Sequence, residues 1–343
     1  MKVGPISAGA RPGPACYGLG GTEPTVSDAD LILGYLNPDT KIAGKKLSKE
    51  KAVEAVEKLG KKIGKNAEEM AIGIFDLVNE NMGGIVRSEL ISRGLDYTQF
   101  ALLCYGGAGP LHMTEIVRMV GMKRCIVPAN ASAFSAYGLC FVDIKVRDSK
   151  EVVYPEPWDA RTINGDFTQI EKELLSKVKA TGVSEEDISV RRVFAMQFKG
   201  QFYQLRVPVP VKELTQEDLA KVKEEFVNTY TSRYGKASLI PGAMVIIMSE
   251  ESECVGKTLK AKLPLEKETA QIPAEAVMLP RKVYDKKVGG FVEAEVYNGD
   301  KLLAGNRIEG PALIDFPHTS IRLGQGEVGV LDQHRDFIVW QGG

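Results

Sequence analysis

The sequence predicts an α/β first part followed by a β-rich α+β second part. Three observations carry this. Between Phe100 and Val127 an apolar run, a glycine turn, a helical pattern and a second apolar run follow in order. That is a strand–helix–strand unit, which calls for parallel strands. Ahead of it, two stretches space their apolar residues as amphipathic helices do. Beyond residue 150, short alternating runs are separated by Gly, Pro, Asn and Asp, the pattern of turn-linked strands. The parts are expected at residues 1–148 and 149–343.

Taken in order, residues 1–40 are rich in glycine and proline and end in "TVSDADLILGYLNPDT". A helix starts there, with Ser27 or Asp28 as its cap. Asp28 and Asp30, two apart beside glycines, suit either that structural role or a magnesium–phosphate role. Cys16 in "GPACYG" has no base near it in sequence and reads as a small buried residue.

"SKEKAVEAVEKLGKKIG" is a helix capped by Ser48. Lys51 stands three residues on, so there is no capping box. Ala52, Val53, Val56 and Leu59 form its stripe, and Gly60 and Gly64 suit its end. A longer helix begins near Asn66, with Met70, Ile74, Leu77, Val78, Met82, Ile85 and Val86 on one face. Its Gly73, Gly83 and Gly84 each cost about 1 kcal/mol against alanine. Close packing of another helix, or of a ligand, would explain them.

"LDYTQFALLCYGGAG" is a buried strand entering a turn. "PLHMTEIVRMVG" is a helix with Pro110 in its first turn, where proline is tolerated. "KRCIVPANASAFSAYGL" gives a strand at Cys125–Val127, a loop and a further helix start. The second part opens with the helix "DFTQIEKELLSKVKATG". One alternating strand, "RRVFAMQFKGQFYQLRVPVP", and the helix "TQEDLAKVKEEFVNTYTSRYG" follow. Short strands with turn signals such as Asn298-Gly299 complete it.

The totals exclude some classes. The 343 residues are 44% hydrophobic and 26% charged, ordinary for a chain that buries a core. A net charge of -1 argues against nucleic-acid or acidic-membrane partners. No apolar run reaches the ~18 residues of a membrane span, and "MKVGPISAGARPGP" holds no apolar signal core. The five cysteines are scattered, which suits buried free thiols in a reducing, cytoplasmic setting. Three separated histidines argue against a histidine-rich metal site.

The glycine turn carries the chemistry. A glycine turn between strand and helix offers backbone N–H groups and the positive end of a helix dipole, which together hold a phosphate or a nucleotide. Gly106, Gly107 and Gly109 fit that pattern at the carboxyl end of a parallel strand. Tight packing is the alternative reading. The motif is neither a dinucleotide G-x-G-x-x-G nor a Walker loop. His112, just inside the following helix, either polarises a ligand or caps and packs.

"GPISAGARPGPACYGLGGTEPTVSDADLILGYLNP" closely resembles the glycine-rich segment of the hydantoinase A/5-oxoprolinase family, which includes subunits of acetone and acetophenone carboxylases. "YGGAGPLH" and then "IVPANASAFSAYGL" are similar to that family's next blocks. "GQFYQLRVPVP" and "EGPALIDFPHTSIRLGQG" resemble its C-terminal domain, so the likeness covers essentially the whole chain. The resemblance implies the second, ribonuclease-H-like lobe of an actin-like ATPase. It implies ATP with Mg2+ or Mn2+, used to activate a carbonyl substrate by phosphorylation. Gly106, Gly107, Ala108 and Gly109 would then sit at the adenosine or phosphate, with His112 close by. Asp28 becomes the metal- or phosphate-side candidate, and Asn79 or Asn81 would reach the nucleotide from the glycine-bearing helix.

The expected activity is that of a subunit of a multi-chain ketone carboxylase of the acetone/acetophenone type. Its alternatives are a subunit of an ATP-dependent hydrolase of hydantoinase/oxoprolinase type, acting on a cyclic amide, and a non-catalytic scaffold that keeps the fold. No residue stands out as catalytic. The family's Asp-x-Gly-Gly-Thr phosphate loop does not occur here, and "FKGQ" stands where an arginine-containing pattern is familiar. The expected partners are a chain supplying the N-terminal ATPase lobe and a hydantoinase B-like subunit. The apolar faces of Met70–Leu90 and Leu102–Tyr105 would form the interface.

Overall fold

The computed structural model describes residues 2–239, 242–260 and 262–341. Its contacts gather into two compact units, Met1–Tyr137 with Lys262–Gly343, and Gly138–Ala261. The boundary expected at 148/149 is therefore not where the contacts divide. The reason is strand pairing, which returns the C-terminal stretch to the first unit.

The first unit opens with the glycine-rich segment and α1 (Val26–Ile32). The cap of α1 is Thr25, in a reciprocal capping box with Asp28, and not Ser27 or Asp28 itself. A small hairpin of β1 (Lys41–Ile42) and β2 (Lys45–Lys46) precedes α2 (Lys49–Gly60). Ser48 caps α2 as its hydroxyl predicts. The long α3 (Ala67–Ser92) starts on Asn66, whose side chain and that of Glu69 satisfy each other's backbone N–H. A Cβ on Gly83 would make ordinary contact with the Met119 side chain at 3.5 Å, and one on Gly84 would face open space, so neither position requires glycine for close packing.

Of the apolar run at 100–105, only β3 (Leu102–Leu103) pairs as strand. Then come α4 (Gly109–Val120), β4 (Arg124–Val127) and the short α5 (Phe134–Leu139). β3 and β4 are parallel, as the strand–helix–strand pattern requires.

The second unit is an antiparallel sheet with two helices. Its elements are β5 (Ile144–Pro155), α6 (Ala160–Lys179), β6 (Ile188–Phe198), β7 (Leu205–Val209), α7 (Gln216–Tyr234) and β8 (Val245–Gly256). The strand order is β5-β8-β6-β7. The run from Arg191 to Pro210 is not one strand: it turns at 199–204 and pairs with itself. Phe167 of α6 and Phe226 of α7 pack against Phe194, Met196 and Ile247 of the sheet.

The chain then completes the first unit. A four-stranded sheet forms from β9 (Val277–Asp285), β10 (Gly290–Asn298), β12 (Ala312–Asp315) and β13 (Ser320–Leu323), with β11 (Arg307–Glu309) between β10 and β12 in sequence. β14 (Val328–Leu331) and β15 (Phe337–Trp340) join the other sheet, ordered β11-β14-β15-β4-β3. β15 lies antiparallel to β4, with Phe337 opposite Val127.

Helix α4 belongs to two cores. Its Leu111 packs with Leu31, Tyr35, Met70 and Phe75, while its Met113, Ile116, Val117 and Val120 pack with Cys125, Ile321 and Phe337. The burial expected for the cysteines holds for Cys16, Cys104, Cys125 and Cys254, but Cys140 is exposed. Burial pushes the Cys104 thiol up to about 12 and the Cys16 thiol further, so neither is a nucleophile near neutrality.

One buried carboxyl in the second unit makes stability depend on pH. Glu250 of β8 is wholly buried, and neither carboxyl oxygen has a hydrogen-bond partner. Burial first, and the neighbouring Asp166 carboxylate second, push its pKa up to about 8. Asp166 stays charged despite burial because Lys150 Nζ and Tyr154 Oη donate to it at 2.6 and 2.8 Å. The folded chain therefore keeps a proton on Glu250 that the unfolded chain releases above the ordinary value of 4.5. The native state binds more protons in that window, so this contribution is complete below about pH 4.5 and declines as pH rises to about 8. The slope is at most about 1.4 kcal/mol per pH unit. Chemical denaturation at pH 5, 6.5 and 8 should show Glu250→Gln losing less stability with rising pH than the wild type; parallel curves would contradict the assignment.

Candidate functional site

The glycine turn is framed by two segments far away in sequence. Past β3, the Cys104 N–H donates to Ile126 O at 2.8 Å and the Gly106 N–H to Ala131 O at 2.7 Å. From the other side Thr319 Oγ1 donates to the carbonyls of Gly106 and Gly107, at 3.2 and 3.0 Å. Gly106 has φ +95°, and a Cβ on it would meet no atom within 4 Å. Glycine is needed there for the backbone conformation, not because this chain crowds it. At Gly107 a Cβ would lie 3.4 Å from His318 O; at Gly109 it would make ordinary contact with Cys104 Sγ.

The turn leads straight into α4. Ala108 is the N-cap and supplies no side-chain acceptor, and Pro110 follows in the first turn. Among the described residues, the N–H groups of Gly107 and Ala108 find no hydrogen-bond partner. Both residues are exposed. Unpaired amides at the positive end of a twelve-residue helix have the chemistry to hold an anion.

Behind the turn lies a buried polar chain. His112 is 3% exposed, with Nδ1 3.0 Å from Asn79 Oδ1 and Nε2 3.5 Å from Asp30 Oδ2. Phe75 stacks on the imidazole at 4.9 Å. Both oxygens of Asp30 and Nδ2 of Asn79 lack hydrogen bonds. With the Asn79 amide turned over, Nδ2 would donate to Nδ1 and the Nε2–H would face Asp30, satisfying most of these groups.

This geometry corrects two expectations. His112 has both ring nitrogens committed inward and does not face a ligand. Asn79 is buried beside it, because α3 turns that position toward the core where the imidazole needs a polar neighbour. Asn81 is exposed and distinct from Asn79 in its surroundings. Asp30, which shared the sequence signal with Asp28, is the carboxylate that joins the histidine.

Asp28 has a structural role in place of the metal role. It is fully buried, and its carboxylate accepts from Cys16 N at 2.7 Å, Thr25 N at 2.9 Å, Thr25 Oγ1 at 2.7 Å and Ala15 N at 3.3 Å. Four donors occupy the lone pairs that an ion would need. Among the described residues no group of three or more His, Cys, Asp or Glu side chains is arranged to hold a metal ion.

The residues that sequence reasoning missed are Ala131, His318 and Thr319, which frame the turn. Both segments stood out as motifs, "IVPANASAFSAYGL" and "EGPALIDFPHTSIRLGQG". Nothing local in either shows that they converge on one turn across about two hundred positions.

Comparison with known proteins places the whole chain in one family. The hydantoinase/oxoprolinase family model matches residues 1–148, and the hydantoinase/oxoprolinase C-terminal domain model matches residues 156–340. The acetone carboxylase beta subunit of Xanthobacter autotrophicus is 30% identical over 98% of this chain and 48% of its own length. The nucleotide-free structure of acetone carboxylase superposes with a TM-score of 0.86 at 29% identity, over 98% of this chain and 49% of the other. The ATP-dependent caprolactamase of Pseudomonas jessenii superposes with a TM-score of 0.76 at 27% identity, over 99% and 50%. The chain thus spans about half the length of these relatives. With two family models covering nearly every residue, including the glycine turn and both segments that frame it, the chain belongs to the hydantoinase/oxoprolinase family.

Proposed function

We propose that this chain is the nucleotide-binding part of a multi-chain, ATP-dependent enzyme that activates a carbonyl substrate by phosphorylation. The observation that carries the reading is the exposed turn at 106–109, whose Gly107 and Ala108 amides are unpaired at the start of α4. We read the first unit as the second lobe of an actin-like ATPase and the turn as its contact to the adenosine or phosphate. The likeness to ATP-dependent acetone carboxylase supports a ketone carboxylase. The likeness to ATP-dependent caprolactamase supports the second reading, hydrolysis of a cyclic amide.

The chain's own groups would act by position. The amides of Gly107 and Ala108 donate to phosphate oxygens, and the α4 dipole lowers the energy of the anion there. Thr319 and Ala131 hold the turn so that this arrangement is formed before the ligand arrives. ATP, when bound, would supply the phosphoryl group that activates a carbonyl or enol oxygen as a phosphoester. The residues present do not fit a metal ion, since Asp28 is saturated. The ion, the carbonyl substrate and the rest of the phosphate contacts fall to other chains, a lobe-supplying partner and a hydantoinase B-like subunit among them.

In the assembled complex, Gly107→Val should weaken binding of an ATP analogue by at least about tenfold. Its branched side chain would crowd the ligand's approach and press on His318 O. Affinity equal to wild type, with the thermal midpoint unchanged, would remove the turn from the site. ATP turnover by the complex should rise on adding bicarbonate together with a ketone. A rise with a lactam alone would select the hydrolase reading, and this chain purified by itself should turn over little ATP.

A further inference from the structure

The motif "GQFYQLRVPVP" has no part in the turn at 106–109. It makes the hairpin that joins β6 to β7, and it places two aromatic rings in water: Phe202 is 95% exposed and Tyr203 81%. We propose that this hairpin tip is a plug by which the second unit docks on another subunit of the enzyme, entering an apolar socket rimmed by carboxylates. The inference rests on the multi-chain reading above and names the chemistry of one contact within it.

Rigidity is the first ground. The tip is pinned just before its rings. Gln201 Nε2 donates to Tyr230 Oη of α7 at 2.7 Å, the Gln201 N–H to Phe198 O at 3.0 Å, and the Lys199 N–H to Met244 O at 2.9 Å. Just after the rings, Leu205 is buried where β7 begins. With both ends fixed, a partner would not have to order the loop before binding it. Aromatic rings on such a frame are the usual anchors of a protein contact. Tyr234, in the last turn of α7, extends the same surface: it is exposed and lies 4.9 Å from the Tyr230 ring.

Charge is the second ground. No Asp or Glu occurs from Ile188 to Lys212 or from Phe226 to Ser249, the two stretches that build this end of the unit. Arg192, Arg206 and Lys212 are paired to Glu171, Glu251 and Asp218. Lys199 at the tip, Arg233 at the end of α7 and Lys236 just past it are exposed, and among the described residues they pair with no carboxylate. The Arg233 guanidinium lies 5.7 Å over the Tyr234 ring. The chain as a whole carries -1, so this positive field is local. A surface that covers the rings sets its own rim against these cations, which attract carboxylates and repel other cations. Basic clusters that hold acidic lipid carry roughly four to eight cations. Lys199, Arg233 and Lys236 fall short of that, which favours a protein surface over a membrane.

The assembled complex provides the test, with its dissociation followed by sedimentation across protein concentration. Phe202→Ser together with Tyr203→Ser should weaken assembly at least about tenfold. The variant chain by itself should keep the thermal midpoint of wild type, because both rings lie outside the core. Lys199→Glu should weaken assembly at low salt and lose most of that effect at high salt, where exposed charges are screened. Assembly of the serine variant as tight as wild type overturns the plug and leaves the nucleotide reading standing. Self-association of the isolated wild-type chain that the serine pair abolishes, with assembly unchanged, overturns it in favour of a second copy. Binding to phosphatidylserine vesicles that the serine pair abolishes, with assembly unchanged, overturns it in favour of a membrane. Failure of the wild-type chain to assemble with any other chain overturns the multi-chain reading and this inference together.

Discussion

The arrangement of the first unit depends on one buried cation. Arg322 of β13 is 2% exposed and reaches three parts of α4: Leu111 O, Thr114 Oγ1 at 3.4 Å and Glu115 Oε1 at 3.0 Å. The same guanidinium lies 4.9 Å over the Tyr35 ring and 5.6 Å over Phe75. It therefore ties α4 to the sheet, to the end of α1 and to α3 at one point. A buried guanidinium tolerates no loss of its partner, since an uncompensated charge inside a protein costs about 3–5 kcal/mol. The planar fork suits this task where an ammonium would not. The Gly107 and Ala108 amides, proposed to meet a phosphate, lead into the N-terminal end of the helix that this residue holds.

The Arg322 linkage also explains what the sequence could and could not show. Helices with local signals were legible: Ser48, Asn66 and Thr215 each cap a helix within reach of their own side chains. So was the glycine turn, because glycine followed by proline at a helix start is a local chemical pattern. The partners of buried polar groups were not. Asp30, Asn79 and His112 are joined by folding, and their separations in sequence carry no periodic signal. Reading Asn79 as ligand-side left out that α3 has more than one face turned inward. That helix also packs a polar position inward, where an imidazole waits for it. Asp28 was legible as a functional residue type, but a capping carboxylate and a metal ligand look alike until their hydrogen bonds are known.

The domain boundary shows a different limit. The sequence changes character near residue 150, and the family models divide the chain close to there as well. Compactness divides it otherwise, because β14 and β15 complete a sheet begun by β3 and β4. Strand pairing over two hundred residues leaves no mark on local composition, since an edge supplied from near or from far needs the same alternating residues. The separate unit of residues 138–261 is then an excursion between two halves of one sheet. Its own core of Phe167, Phe194 and Phe226 makes it independent in the sense that matters for folding.

The exposed turn also sets a physical condition on the site. A backbone amide facing water already has a hydrogen bond, so exchanging that bond for one to a phosphate oxygen gains only about 0.5–3 kcal/mol. The same amides and the same helix dipole act far more strongly when water is excluded, because the local dielectric falls. The turn at 106–109 has one wall in this chain, made by segments 128–133 and 316–319. Beside it lie two apolar groups in water, Leu103 and Tyr105, 45% and 49% exposed. Single exposed apolar residues need no explanation, but two next to a turn with unpaired amides share one. A covering surface would bury them and dry the amides in the same step. The covering contact and the ligand would then stabilise each other, and nucleotide affinity would become a property of the assembly more than of the turn.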